Sequence, residues 1–503
     1  MLQSAHFAET PPCGGPGLRP GLQLFCGLLL AFATLGLSSC HSAAYYYYKF
    51  PEYTYAGRPI PPSLLAQRVM IATSANGAIG DLVIVDALRD IRSNVEDTIQ
   101  SFAIKGYASG SPSTIVSFPS ELRGYVYSSS DGSLDNIDYS TESATGTVGT
   151  FQTGLNSIAI PSTFTRYYGA EEAAGVLEII DNQTGGIFGL NIPNVYKVVV
   201  NTGDTVALAM VRNANVVYRV FKLSQNQYPT SEAAIAATGS ADCEPELLPV
   251  YCAVSVPGTY DRPADAYFSL DGTTAYVLNC GPECGGATSS VTLLSQGPLN
   301  NNVIPSSPTQ PNPQVANVPV PGGVTEALSD GTTLYLAGQQ LQPDGLFEGF
   351  LSTMNQATNT ITGKYPISDG THTKILFADN NTLWIGSQYC ATGERQKQGL
   401  NYNCLTMVVL GGAPLAPRIV PNVTPGVPTA TVPYPNQNDN LYYYGNLTGL
   451  CWVQNFNKVY TAYGGQVHLF STVDGSEINN QNVTVQGTAL DVAYMDALTD
   501  DAN

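Results

Sequence analysis

The chain has 503 residues, 43% of them hydrophobic, so a sizeable core is available to one large domain or several smaller ones. Charged residues make up only 12%, while there are 49 Gly, 34 Pro and 30 Tyr, a profile of many short strands and turns that suits long helices poorly. The formal net charge of −19 repels phosphate backbones and anionic lipid, which argues against a nucleic-acid partner.

The first readable element is the uncharged apolar run GLQLFCGLLLAFATLG at 21–36. It is short of the roughly 20 residues a membrane-spanning helix needs and matches the apolar region of a secretory signal. It runs into Leu37-Ser38-Ser39-Cys40, which resembles the lipobox of bacterial lipoprotein signal peptides: an aliphatic residue, two small residues, then Cys. The resemblance implies cleavage before Cys40, lipidation of Cys40 and attachment to a membrane through that lipid. His41 stands where retention at the inner membrane often calls for Asp, which favours the outer membrane. The sequence departs from the pattern in its long leading segment, whose only basic residue is Arg19. A start downstream of Met1 would account for this. An ordinary secretory signal with a coincidental cysteine is the alternative.

From His41 to Pro62 no helical or strand period is visible, and the stretch holds YYYY at 45–48 and Pro51, Pro59, Pro61 and Pro62. Proline stiffens it toward an extended form, so it reads as a tether. Its tyrosines suit either the membrane interface or loose packing on the following domain. The expected organisation is a signal peptide over 1–39, a lipidated tether over 40–63 and a folded domain over 64–499.

Within that domain one pattern recurs: a turn with Asp or Asn and Gly, then an alternating strand. It reads LDGTTAYVLN at 270–279, SDGTTLYLAG at 329–338 and ADNNTLWIG at 378–386, with weaker copies at 121–132, 201–211 and 456–465. A short apolar strand precedes several copies, as in VYKVVVNTG (195–203), GVTEALSDG (323–331) and HTKILFADN (372–380). Tight turns between strands of period two are the mark of antiparallel hairpins, and the unit is a four-stranded sheet. Pro- and Asn-rich insertions near 225–262, 296–322 and 411–440 are expected to project as long loops from one face.

LDGTTAYVLN resembles the core of YVTN-type propeller repeats, a family that includes lactonase-like and surface-layer propellers. The resemblance implies an all-β fold, a single β-propeller of seven or eight four-stranded blades. Eight units can be counted, beginning near 68, 122, 164, 204, 272, 331, 380 and 457; seven is the commoner number in that family. RVMIATSANG (68–77) looks like the second strand of a unit and GTALDVAYMDAL (487–498) like a first strand. The last segment is therefore expected to complete the first blade and hide both sheet edges, leaving Asp500, Asp501 and Asn503 as a frayed tail.

Of the ten cysteines, Cys13 and Cys26 fall in the signal and Cys40 is the lipidation residue. Three local pairs remain, Cys243 with Cys252, Cys280 with Cys284, and Cys390 with Cys404, together with Cys451. In an oxidising compartment each pair can staple a loop, worth about 2–3 kcal/mol. None has the spacing of a zinc site.

No metal or cofactor site is indicated. His372 and His468 stand alone on strands, and no His-E-x-x-H, G-x-S-x-G or nucleotide-binding glycine motif is present. The acidic stretches hold Asp131, Asp135 and Asp138, then Glu171 and Glu172, then Asp261 and Asp265. None fits a calcium loop, and turn aspartates mostly bond their own backbone. Two functions are compatible with this. One is a non-enzymatic, monomeric, lipid-anchored scaffold that binds a protein, glycan or small ligand, with loop aromatics Tyr434, Tyr442, Tyr443 and Tyr444 as contacts. The other is a lactonase-like periplasmic hydrolase using channel carboxylates and a divalent metal. The side chains lining the central channel discriminate between them.

Overall fold

The computed structural model describes residues 55–500 except 56, 76, 78, 95–99, 225, 308–309, 344, 346, 391–402, 422–443 and 479–482. Cys40, the tether and Tyr434, Tyr442 and Tyr443 lie outside the described residues. Antiparallel sheets follow one another around a ring of eight blades. The second strands begin at Arg68, Arg123, Arg166, Ala207, Thr274, Thr333, Thr382 and Lys458, within three residues of the eight starts read from the turns.

The turns explain that regularity. Before second strands, Asp271 accepts the N–H of Thr273 (3.0 Å) and Asp330 those of Thr332 (2.8 Å) and Thr333 (2.7 Å); Asp474 accepts that of Ser476 (3.0 Å) in the same way between the third and fourth strands of blade 8. The glycine after each of these aspartates has a positive φ: 71° at Gly272, 91° at Gly331 and 73° at Gly475. The Asp side chain closes the turn and the Gly supplies the left-handed backbone, so a hairpin is specified locally.

Apolar side chains of neighbouring blades meet face to face. Between blades 3 and 4, Tyr168, Leu177, Ile179, Val198, Ala209 and Tyr251 are buried together; between blades 7 and 8, the buried Trp384 lies 6.4 Å from Phe470, ring to ring. Each fully buried side chain of this size contributes about 1.5–3 kcal/mol, and each blade depends on its two neighbours for half of that burial.

The first blade is built from both ends of the domain. Thr488–Tyr494 forms its inner strand and pairs antiparallel with Arg68–Ala75, which pairs with Ile79–Asp86. The segment at 102–104 completes it: Ile84 N–H donates to the Phe102 carbonyl (2.9 Å) and Ile104 N–H to that of Leu82 (2.9 Å). A buried ion network locks the junction. Arg68, 3% exposed, donates to Asp496 (3.0 and 2.7 Å), to Glu142 (3.0 Å) and to the Tyr139 carbonyl (2.7 Å). Arg58 also pairs with Asp496, and Ser63 N–H donates to Glu142 (2.9 Å). Asp500 does not fray: it accepts from Ser120 N–H (3.1 Å) and the Ser120 hydroxyl (2.9 Å).

The insertions differ from expectation in packing. Strand direction alternates within a blade, so links between the third and fourth strands emerge at one end of the ring. Links from second to third strand, and between blades, emerge at the other. The insertion after Val217–Lys222 and the one after Ser290–Ser295 are of the first kind; the Cys280–Cys284 loop is of the second. The insertions of blades 4 and 5 therefore emerge from one face, and residues 422–443 of the third insertion lie outside the described residues. Those of blades 4 and 5 pack rather than project. The first holds helix α1, Ser231–Thr238, capped by the Thr230 hydroxyl. The second lies back over blade 4, with Ser307 N–H on the Ala237 carbonyl (2.8 Å) and Arg219 donating to the carbonyls of Asn300 (3.2 Å) and Val303 (2.9 Å).

The closure makes a prediction. Arg68→Leu leaves Asp496 and Glu142 buried with one cation fewer, and such a break costs about 3 kcal/mol or more. Urea unfolding should show a clearly lower midpoint, whereas a midpoint unchanged from the parent would mean the network does not secure the ring.

Candidate functional site: the charged belt of the axial channel

The inner strands surround an axial cavity of about 720 Å³, open at the end where the second-to-third-strand loops emerge. A backbone irregularity repeats around it. In seven of the eight inner strands one extra residue breaks the pairing register: Leu490, Ser113, Tyr196, Ala264, Thr325, Thr373 and Thr448. A bulge re-aims the side chains around it. The residues that follow are Asp491, Thr114, Lys197, Asp265, Glu326, Lys374 and Gly449. Five of them are charged, and together they form a belt around the axis.

The belt is mostly paired. Lys197 Nζ is 2.6 Å from Asp265, and Lys374 Nζ is 3.4 Å from Asp491. Asp265 also accepts the N–H of Ala266 (2.7 Å), and Asp491 those of Val492 (3.0 Å) and of Ile115 on the next blade (2.9 Å). The Lys374–Asp491 pair spans blade 8, where the belt residue is Gly449. A Cβ there would lie 2.6 Å from Val492 N and 2.7 Å from Asp491 Oδ1, so only glycine leaves room for the pair.

Glu326 differs from its neighbours. It has no hydrogen bond or ion pair to any described residue. Burial pushes its carboxyl up to about 7; Lys197 opposes the rise, Asp265 adds to it and Lys374 opposes it. Burial likewise raises the Asp491 carboxyl against the pull of Lys374. Burial works against the charge of Lys197, but Asp265 and Glu326 outweigh it and hold the ammonium above its usual pKa.

His372, 1% exposed, lines the same cavity. Its Nε2 is 2.9 Å from the Ser368 carbonyl, an acceptor, so Nε2 carries the proton and Nδ1 presents a lone pair, which has no partner. Burial lowers its pKa to about 4, so it is neutral at pH 7. At the mouth, the Arg212 guanidinium lies 4.1 Å over the Tyr196 ring and bonds Glu172 (2.5 Å). Below the belt a second cavity of about 250 Å³ is lined by Ile115, Val116, Ile375, Leu376 and Leu450, and it shares Glu326, Thr373 and Lys374 with the first.

Of the acidic residues singled out by sequence, only Asp265 joins the belt. Asp131 bonds the N–H groups of Ser133 (3.0 Å) and Gly110 (3.1 Å), Asp138 that of Ser140 (2.7 Å), and Asp261 those of Ala287 and Thr288 (both 2.7 Å). These are loop-fixing bonds. The three disulfides form as paired, with Cys243 and Cys252 facing each other across two strands, and Cys451 is buried. Tyr444 is not an exposed loop contact: it is 9% exposed, stacks 4.3 Å from the His468 ring and bonds Glu477 (2.5 Å), which also accepts from His468 Nδ1 (2.7 Å). Among the described residues no three His, Cys, Asp or Glu side chains gather as metal ligands.

Two outcomes follow from the belt. Gly449→Ala should separate Lys374 from Asp491 and cost about 1–3 kcal/mol, read as a lower unfolding midpoint. Glu326 binds its proton more tightly folded than unfolded, so its burial costs nothing below its unfolded pKa of 4.5 and costs progressively more as pH rises through about 7. Glu326→Gln should therefore match the parent near about pH 4 and be more stable by ~1–3 kcal/mol at about pH 8. Equal stability at both pH values would place the carboxyl in bulk-like water.

No protein-family model and no curated protein sequence matches the chain. Solved structures similar to it include Kuenenia stuttgartiensis hydrazine synthase, with TM-score 0.44 and 12% identity over 75% of this chain and 99% of that one. The dihydro-heme d1 dehydrogenase NirN is similar with TM-score 0.46 and 10% identity over 89% and 83%. A 6-phosphogluconolactonase-like protein of Bacteroides fragilis is similar with TM-score 0.42 and 11% identity over 85% and 97%. These proteins differ in function from one another, and likeness at this level assigns none of their activities to the chain.

Proposed function

We propose that this protein is a lipid-anchored β-propeller of the bacterial cell envelope that binds a small ligand in the mouth of its axial channel and performs no chemistry on it. The observation that carries the proposal is the pairing within the belt. A metal-dependent hydrolase needs several free oxygen ligands converging on one point. Here two of the three belt carboxylates are committed to lysines and backbone N–H groups, and they alternate with cations around the axis. The cavity has the size of a small-molecule site, and its mostly polar lining suits a polar ligand. The anchor rests on Leu37-Ser38-Ser39-Cys40 and the preceding apolar run.

A metabolite library screened by thermal shift against the full chain tests the binding site, alongside Thr114→Trp, which fills the lumen. At least one compound should raise the parent's melting temperature and leave the filled variant unmoved; shifts that survive the filling would place binding elsewhere. Turnover of any lactone in a panel with Ca²⁺, Mg²⁺ or Mn²⁺ would reinstate the hydrolase. Labelled palmitate should enter the parent in bacterial cells and be absent from Cys40→Ser; label on the variant would remove the anchor.

A further inference from the structure

The belt and the cavity beneath it define a ligand class. We propose that the channel binds a primary alkylammonium ion, its head against Glu326 and its aliphatic tail toward the smaller cavity below. The assignment rests on the channel being the ligand site.

Three observations converge on it. First, the belt holds two ammonium groups and three carboxylates, and both ammonium groups already face a carboxylate. The group left over is Glu326, so an added monocation balances the belt. An added anion would have to displace Asp265 or Asp491 from its lysine and sit beside an uncompensated carboxylate. Second, two of the unsatisfied groups at the channel are acceptors, and a third, the Thr373 hydroxyl, can accept as well. Glu326 has no donor from the protein, and the Nδ1 lone pair of His372, on the neighbouring inner strand, has none either. A ligand that satisfies them brings N–H or O–H donors, and an ammonium brings three. Third, Glu326 and Lys374 line both cavities. A head group at Glu326 therefore opens onto a smaller cavity whose lining mixes Ile115, Val116, Ile375, Leu376 and Leu450 with Ser117 and Thr373. A metal ion is a poorer occupant, because Glu326 alone offers it free oxygens.

The charged groups around Glu326 are Lys197 and Asp265 on one side, Lys374 on the other and Asp491 across the axis; His372, Tyr196, Arg212 and Tyr127 line the same cavity, and the rest of the lining from blades 2, 3 and 8 is uncharged. Binding of a cation favours the ionised carboxyl, so a proton leaves as the ammonium enters. No covalent step is involved.

The probe is n-hexylammonium, titrated calorimetrically into the full chain, with hexanoate and hexan-1-ol as controls. Hexylammonium should bind saturably, and about tenfold more tightly at pH 8 than at pH 6, the ratio of ionised carboxyl for a pKa of about 7. Part of a proton should be released at pH 7, seen as a dependence of the heat on the buffer. Glu326→Gln should lose at least tenfold in affinity together with the pH dependence. The parent's own pH profile tests the assignment even if that variant does not fold. Hexanoate or hexanol binding as tightly as the amine, a flat pH profile, undiminished affinity in Glu326→Gln, or no saturable heat at millimolar amine would each overturn it. If the amine is silent while another compound binds and is lost on filling the lumen, the channel remains the ligand site and only the ligand class falls. If no compound responds to the filling, both fall together.

Discussion

The architecture depends on one pairing, that of Thr488–Tyr494 with Arg68–Ala75. A row of sheets that stays open exposes two unpaired edges and two apolar faces, both of which invite other chains. The pairing removes the edges, and the blade it completes supplies the missing neighbour for blades 2 and 8. Hydrogen bonds between strands are close to isoenergetic with those to water, so they do not select this particular partner. Selection comes from what surrounds them: the apolar alternation of both strands, and the buried Arg68 held between Asp496 from one end of the domain and Glu142 from blade 2.

Closure also fixes the bore of the ring, and the bore makes the inner strands the place where charge can be concentrated. Inner strands packed between two blades should carry apolar residues on both faces. One extra residue per strand breaks the alternation and places a polar side chain toward the axis without disturbing the apolar set beyond it. Because the bulge falls at an equivalent point in seven strands, five charged side chains arrive at one level. Lys197 and Lys374 still keep 29% and 33% of their side-chain surface. The belt is walled by protein and wet along its axis, an environment in which an ion pair is only partly shielded and a lone carboxylate is costly.

Much of the ring was legible in the sequence, because its information is local. Asp271 and Asp330 each write their turn within four residues, and the second strand must begin directly after it, so those unit starts are marked locally. Ring closure was legible too, since 68–77 lacked a first strand and 487–498 lacked a second. The cysteines paired by proximity for the same reason. The belt was not legible in this way. Lys197, Glu326 and Lys374 sit in strands that the repeat pattern shows clearly, yet an isolated charge in a short apolar strand reads as an outward-facing residue when period two is assumed. A bulge leaves no mark in one strand; its signal is the recurrence of a charged residue shortly before the Asp-Gly turn, as in ADAYFSLDG and TEALSDG, and it emerges only when first strands are aligned with each other. Tyr444 was misread because aromatic residues in a polar stretch look exposed until the neighbouring His468 and Glu477 are known.

The two-ended first blade sets an order in time. A chain made from its N-terminus forms blades 2 to 8 in sequence, each able to pack on its predecessor as it appears. Arg68–Ala75 is present from the start and its inner partner comes last, more than 400 residues later. Until that strand arrives, the earliest segment of the domain holds an open edge beside an incomplete core, so the growing chain is most vulnerable to wrong pairing at the part it made first. The segment at 102–104 closes the outer side of that blade early, while its axial side waits for the final strand, and with it the last carboxylate of the belt, Asp491.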